Sequence, residues 1–169
     1  MGTPAEARWL TSEETRSWLA LTAVMIKLPY ALDTQLQRDS GLNHFEYQVL
    51  AGLSERPGRS MRMSDLAVLA NGSLSRLSHV VGRLEKRGWV RRAPDPDDGR
   101  FTLALLTDAG WDKVVETAPG HVAAVRKYVF DALTPEQIRQ LAEIGAQVIQ
   151  AIDPGDHCLE FQRGTDAHN

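Results

Sequence analysis

Residues 71–100 read NGSLSRLSHVVGRLEKRGWVRRAPDPDDGR. Ser73, near the head of this stretch, can accept an orphan backbone N–H. Gly88 stands where a helix ends most readily, in the left-handed region, so the two residues bracket a predicted helix. Lys86 and Arg87 fall in its last turn, where cations complement the helix dipole. Leu74, Leu77, Val80, Val81 and Leu84 recur at helical spacing and predict a core stripe. The opposite face carries Ser75, Arg76, His79, Gly82, Arg83 and Lys86. Such a face fits a nucleic-acid groove, and equally an ordinary solvated helix surface.

The residues on either side favour the groove. Trp89, Val90, Arg91 and Arg92 read as a strand, residues 94–99 (PDPDDG) as a turn, and residues 101–106 as the returning strand. In the return strand Phe101, Leu103 and Leu105 alternate, which predicts that they share one face. Arg100 sits at the tip, with Asp98 placed to orient it by a charge-assisted hydrogen bond. Upstream, Ser64 is expected to cap a short helix over residues 65–70, and Asn71 with Gly72 to supply the turn of a helix-turn-helix. Residues 61–63 are expected to add a short third strand. A basic helix can enter the major groove while a basic hairpin reaches the minor groove.

The order of these pieces resembles the MarR family of winged helix-turn-helix transcription regulators. LNHFEYQVLAGLSERPG resembles the family's second helix, and MRMSDLA its first strand and the start of the helix-turn-helix. SLSRLSHVVGRLEKRGWVRR resembles the recognition helix and the strand after it. DDGRFTLALLTDAG resembles the D-x-R wing followed by the L-T-x-x-G start of the next helix. The resemblance spans about residues 13–152. It implies a homodimer on a pseudo-palindromic operator in double-stranded DNA, most simply as a repressor, with Arg100 in the minor groove and Asp98 as its partner. His79 departs from the pattern, since an arginine is frequent there. The fold class expected is mainly α with a small antiparallel β wing, a winged helix-turn-helix with long N- and C-terminal dimerisation helices. Residues 11–55 and 107–152 would supply core and dimerisation helices, residues 56–106 the DNA-binding region, and residues 153–169 a loose tail, all in one domain.

Charge agrees with that layout. The chain carries a net −3, but residues 56–100 hold ten Lys and Arg against five Asp and Glu. The other residues hold nine against seventeen, so positive charge gathers where DNA would lie and the rest is repelled by phosphate. Ser75, Arg76 and His79 are the candidates for base edges, and Ser73 and Ser78 for phosphate contacts or capping. Arg83, Lys86, Arg62 and, more remotely, Arg59 are the backbone candidates.

Flanking helices are legible from their caps. Thr11 with Glu14 and Asn43 with Glu46 form capping-box patterns, Thr107 heads another long helix, and Thr134, Pro135 and Gln137 open the last. Trp18, Leu21, Met25, Leu28 and Leu32 stripe the first helix, which Pro29 is expected to kink. Phe45, Val49, Leu50 and Leu53 stripe the second. The third is expected to run towards Leu133 and to kink or break at residues 118–120 (APG). Ile138, Leu141, Val148, Ile149 and Ile152 stripe the last. Two such terminal helices either cap a monomer's core or pair with a second subunit; two-fold pairing suits a palindrome, because it sets two recognition helices about 34 Å apart.

By the same resemblance, a small aromatic or anionic effector would bind between the dimer helices and the winged domain. Tyr30, His44, Tyr47 and Trp111 are its candidate contacts, each equally readable as core. No Walker loop, G-x-S-x-G or dinucleotide fingerprint occurs, which argues against an enzyme. No cofactor or metal is expected: the histidines lack ligand spacing, and the adjacent His157 and Cys158 are too few. Cys158, the single cysteine, is flanked by Asp156 and Glu160 and is expected to be inert. No apolar run reaches transmembrane length and the N-terminus has no secretory pattern, so a cytoplasmic location is expected. The competing reading is a winged helix used for protein interaction without specific DNA binding.

Overall fold

The computed structural model describes residues 7–154; Cys158, His157 and His168 lie outside them. The elements in order are α1 (Ser12–Ser40), α2 (His44–Ser54), β1 (Ser60–Arg62), α3 (Met63–Leu69), α4 (Leu74–Lys86), β2 (Val90–Pro94), β3 (Thr102–Leu106), α5 (Asp108–Tyr128) and α6 (Pro135–Ile152). The strands form one antiparallel sheet in the order β1-β3-β2. This is the mainly helical winged helix-turn-helix architecture expected, with a three-stranded wing.

Helix starts follow the caps. Thr11, Asn43 and Thr134 each accept the backbone N–H three residues on and donate their own backbone N–H in return to the side-chain oxygens of Glu14, Glu46 and Gln137. Ser73 caps α4 through Arg76 N, and Thr107 caps α5 through Gly110 N. Gly88, at φ 76°, closes the recognition helix where a side chain would be strained. The short α3 departs from expectation. It begins at Met63 directly off β1, its N-cap Arg62 makes no side-chain capping bond, and Ser64 lies inside the first turn with its hydroxyl on Asp65. The strand, not a capping side chain, sets this helix's start.

The core is built on α2 and α4. Leu36, Leu42, Val49, Leu50, Leu53, Leu66, Leu77, Val81 and Leu84 are all fully buried there. Leu74 does not join them and is 54% exposed, because α4 meets the core only from Leu77 onward. Leading into and along β3, Phe101, Leu103 and Leu105 alternate along one face as expected, and that face is the outer one. Ala104 and Leu106 face the core, whereas Leu103 and Leu105 are half-buried and Phe101 exposed. The register explains it. Leu106 sits opposite Val90 and Ala104 opposite Met61, and directly opposed residues share a face.

The start of α5 is fastened to the end of the recognition helix. Thr107 N donates to Trp89 O at 3.0 Å and Thr107 Oγ1 to Gly88 O at 2.6 Å. A Cβ on Gly110 would stand 2.1 Å from Trp89 O, so only glycine allows this approach. α5 then runs unbroken through Ala118, Pro119 and Gly120, so the helix does not break there. Pro119 and Gly120 lie on its exposed side, while Val114, Thr117 and Ala124 keep a continuous buried face against α1 and α2. Packing outweighs the one backbone bond that proline removes. The helix ends at Tyr128, and a 3-10 turn over Phe130–Ala132 replaces its expected last turn.

Candidate nucleic-acid interface

The structure sorts the basic residues of the winged region into two groups. Arg62, Arg83, Arg87 and Arg92 are tied into the protein. Arg62 donates from Nε to Asp95 Oδ2 at 2.7 Å and lies 4.3 Å over the Phe101 ring, which holds the base of the wing. Asp95 is held below the usual carboxylate range, first by the backbone N–H of Asp97 and then by Arg62. Arg83 donates from Nε to the buried Glu46 at 3.0 Å. Arg87 Nη1 donates to Gly41 O at 3.0 Å. Arg92 Nη2 donates to Ser78 O and Oγ, and its backbone N–H goes to Glu85, binding β2 to the recognition helix.

Arg76, Lys86, Arg91 and Arg100 form the second group. Lys86 and Arg91 make no ion pair among the described residues and are exposed. Arg76 rests its guanidinium 4.3 Å over the Phe45 ring, a cation–π contact made by a residue that stays exposed. Ser75 and His79 share its exposed face, and Ser73 is occupied as the helix cap. At the wing tip the Arg100 side chain is 85% exposed and is gripped from one side by Asp98. Asp98 also accepts Arg100 N at 3.1 Å, and its carboxyl is held below the usual range chiefly by the Arg100 side chain.

Glycines in the helix-turn-helix have different reasons. A Cβ on Gly72 would press to 2.8 Å from the Phe45 ring, so the turn needs glycine, and Asn71 beside it takes φ 47°. Gly82 has no such demand, its nearest neighbour being Arg92 Nη2 at 4.0 Å.

Beside the polar face of the recognition helix lies an open cleft of about 1030 Å³ between α1, the N-terminus of α2 and α4. Tyr30 and His44 line it, with Asp33, Arg76, His79 and Arg83. Tyr47 and Trp111 do not. Tyr47 is buried in the core with its ring 4.6 Å from that of His121, and Trp111 packs on the core under the Arg59 guanidinium at 4.2 Å. Arg59 also pairs with Asp108, so it braces the start of α5. Burial holds the imidazoles of His44 and His121 below the ordinary histidine range. Among the described residues no three metal-binding side chains converge, and no helix is long and apolar enough to cross a membrane.

The sequence pattern of the MarR family matches residues 40–100, which span α2, the helix-turn-helix and the wing as far as its tip. The fold agrees along nearly its whole length with Sco3205 from Streptomyces coelicolor, a MarR family transcriptional regulator whose crystal structure is in complex with DNA. Identity is 49%, coverage is 89% of this chain and 94% of that one, and the TM-score is 0.84. The chain belongs to the MarR family of transcriptional regulators. AbsC, another MarR family regulator from S. coelicolor, is 38% identical over 86% of this chain and 98% of its own, with a TM-score of 0.81. The HTH-type transcriptional repressor MdtR of Bacillus subtilis is 27% identical over 86% of this chain and 91% of its own. As a MarR protein the chain is a regulator and not an enzyme. The contacts that anchor Arg62, Arg83 and Arg92 to Asp95, Glu46 and Ser78 were not visible in its sequence, because these partners lie 33, 37 and 14 residues away with no periodic signal joining them.

Proposed function

We propose that this MarR protein is a repressor that binds a pseudo-palindromic operator as a homodimer and releases it on binding a small effector. The observation that carries the reading is the joint exposure of Ser75, Arg76 and His79 on the recognition helix and of Arg100 at the wing tip. In this reading Ser75, Arg76 and His79 meet base edges, Lys86 and Arg91 meet phosphates, and Arg100 reads the width and potential of the minor groove. Ser73, Ser78 and Arg62 act from behind by holding the helix start, the strand junction and the wing base.

Two features support the dimer. The amphipathic α6 buries no residue in the single chain and leaves Leu141, Ile144, Val148 and Ile152 exposed. An apolar groove of about 630 Å³, lined among others by Val24, Leu28, Tyr128, Leu133 and Leu141, is open beside it. Exposed apolar area of this extent is normally an interface. The effector is assigned to the cleft beside the polar face of the recognition helix, where Tyr30 and His44 offer ring contacts and Arg76 an anion partner, so that a bound effector takes Arg76 away from the base edge it would otherwise meet.

Selection of bound duplexes from a random DNA pool tests the function. The expected result is an enriched inverted repeat with half-sites about one turn apart. Unspecific, salt-sensitive retention alone would overturn operator reading, and no retention would favour a protein-interaction role. Sedimentation of the free protein tests the dimer. Loss of operator binding on adding benzoate, a small aromatic anion, tests the class of effector.

A further inference from the structure

Arg83 projects from the polar face of the recognition helix, where an arginine reads most simply as a phosphate contact. Its surroundings point elsewhere. Its Nε donates at 3.0 Å to Oε1 of Glu46, a side chain only 5% exposed. The other oxygen of that carboxylate, Oε2, accepts Asn43 N at 3.1 Å and so completes the capping box that starts α2. One residue on, His44 N donates at 2.7 Å to Oδ1 of Asp33, which comes from α1. The N-terminus of α2 therefore holds α1 through Asp33 and the recognition helix through Glu46. A turn further along α4, Arg87 reaches back to Gly41 O, between α1 and α2. A buried carboxylate that loses its cation is left uncompensated, so Glu46 holds Arg83 in place whether or not DNA is present.

We propose that Arg83 is a positioning residue. Through Glu46 it sets the seating of the recognition helix against α2 and α1, and it does not serve as a phosphate contact. The proposal rests on the operator-reading function above. It also places the tie on the wall of the cleft, since Asp33, Asn43, His44 and Arg83 all line it.

The two roles of Arg83 predict opposite effects for a change at its partner. Operator and non-specific duplex affinities are measured over a range of salt for the wild type, Glu46→Gln, Arg83→Gln and the double variant. A positioning role predicts that each single variant loses about tenfold in operator affinity, within the range that coupling residues carry. The double variant should lose no more than either single one, non-specific affinity should hold, and the salt slope should stay at the wild-type value. A phosphate role predicts that Glu46→Gln binds as well as or better than wild type, because it frees the cation. It also predicts that Arg83→Gln lowers the slope by about 0.9 for each phosphate that is no longer neutralised; either result overturns the proposal. Should Glu46→Gln not fold, Arg83→Lys decides. Retained operator affinity there overturns the proposal, because charge alone would then suffice, and weaker binding with an unchanged salt slope supports it. A wild type without operator preference would overturn the operator reading itself, and a full-strength Glu46→Gln only the role of Arg83.

Discussion

Arg100 meets Asp98 in a two-point contact, Nε to Oδ1 at 2.9 Å and Nη2 to Oδ2 at 2.7 Å, at the outermost turn of the wing. The planar guanidinium and the carboxylate fix each other's orientation, which a lysine could not reproduce. Asp98 thus offsets part of the wing's positive charge and aims what remains. Arg100→Ala is expected to lower operator affinity about tenfold to a hundredfold, with the dimer intact by sedimentation. Arg100→Lys should recover little of it. Asp98→Asn should fall between, since it keeps the cation but no longer aims it. Unchanged operator affinity in Arg100→Ala would remove the wing from the interface.

Arg76 lies on the Phe45 ring and is exposed. If it makes a bidentate base contact, Arg76→Ala should cost about 1–3 kcal/mol and relax preference at one position in each half-site. Binding to a panel of single-base operator variants checks this. Uniform weakening across the panel would make Arg76 a phosphate contact.

Gly110 is required by the junction of β3 and α5. Gly110→Ala should destabilise the protein by at least about 1–3 kcal/mol, because the added methyl meets the Trp89 carbonyl, which is backbone and cannot swing away. Denaturant unfolding measures it. A neutral outcome would mean that α5 can slide along β2 without cost.

Thr117 is buried between α1 and α5, and its Oγ1 has no hydrogen-bond partner. A buried hydroxyl without a partner is a net cost, so Thr117→Val should stabilise the fold by about 1 kcal/mol. A drop in unfolding free energy would show that the hydroxyl is satisfied in solution.

His44 and His121 are both held below the ordinary histidine range, in each case mainly by burial; their rings lie 6.2 Å apart. Asp33 pulls His44 the other way, and the two histidines repel as cations. A folded-state value below the unfolded one means that the unfolded chain binds more protons. The stability these groups contribute is therefore complete above about pH 6.5 and is lost as pH falls below it. The expected observation is a fall in unfolding free energy from pH 7 to pH 5 that is shallower in His121→Gln. An equal slope in that variant would remove His121 from the account.

Much of this fold is written locally. The hydroxyl and amide caps at Thr11, Asn43, Ser73, Thr107 and Thr134 each predicted a helix start that the structure has, because a cap satisfies its bonds within four residues. The wing was legible for the same reason, since Asp98 and Arg100 are two residues apart. Where local rules failed or did not decide, a distant packing partner had prevailed. β1 started α3 without Ser64's help, the register with Val90 and Met61 chose the inward face of β3, and the buried side of α5 carried the helix across Pro119.

The helix-turn-helix, the wing and the exposed helix face could all be read from the order of residues, because caps, turns and periodicity act over a few positions. Which arginines are free could not, since that was settled by packing. Arg76 and Arg83 look alike on the recognition helix, but Arg83 lies against a buried carboxylate from α2 and Arg76 against an aromatic ring. That difference arises when elements far apart in the chain are brought together, where a buried carboxylate left without its cation would be uncompensated.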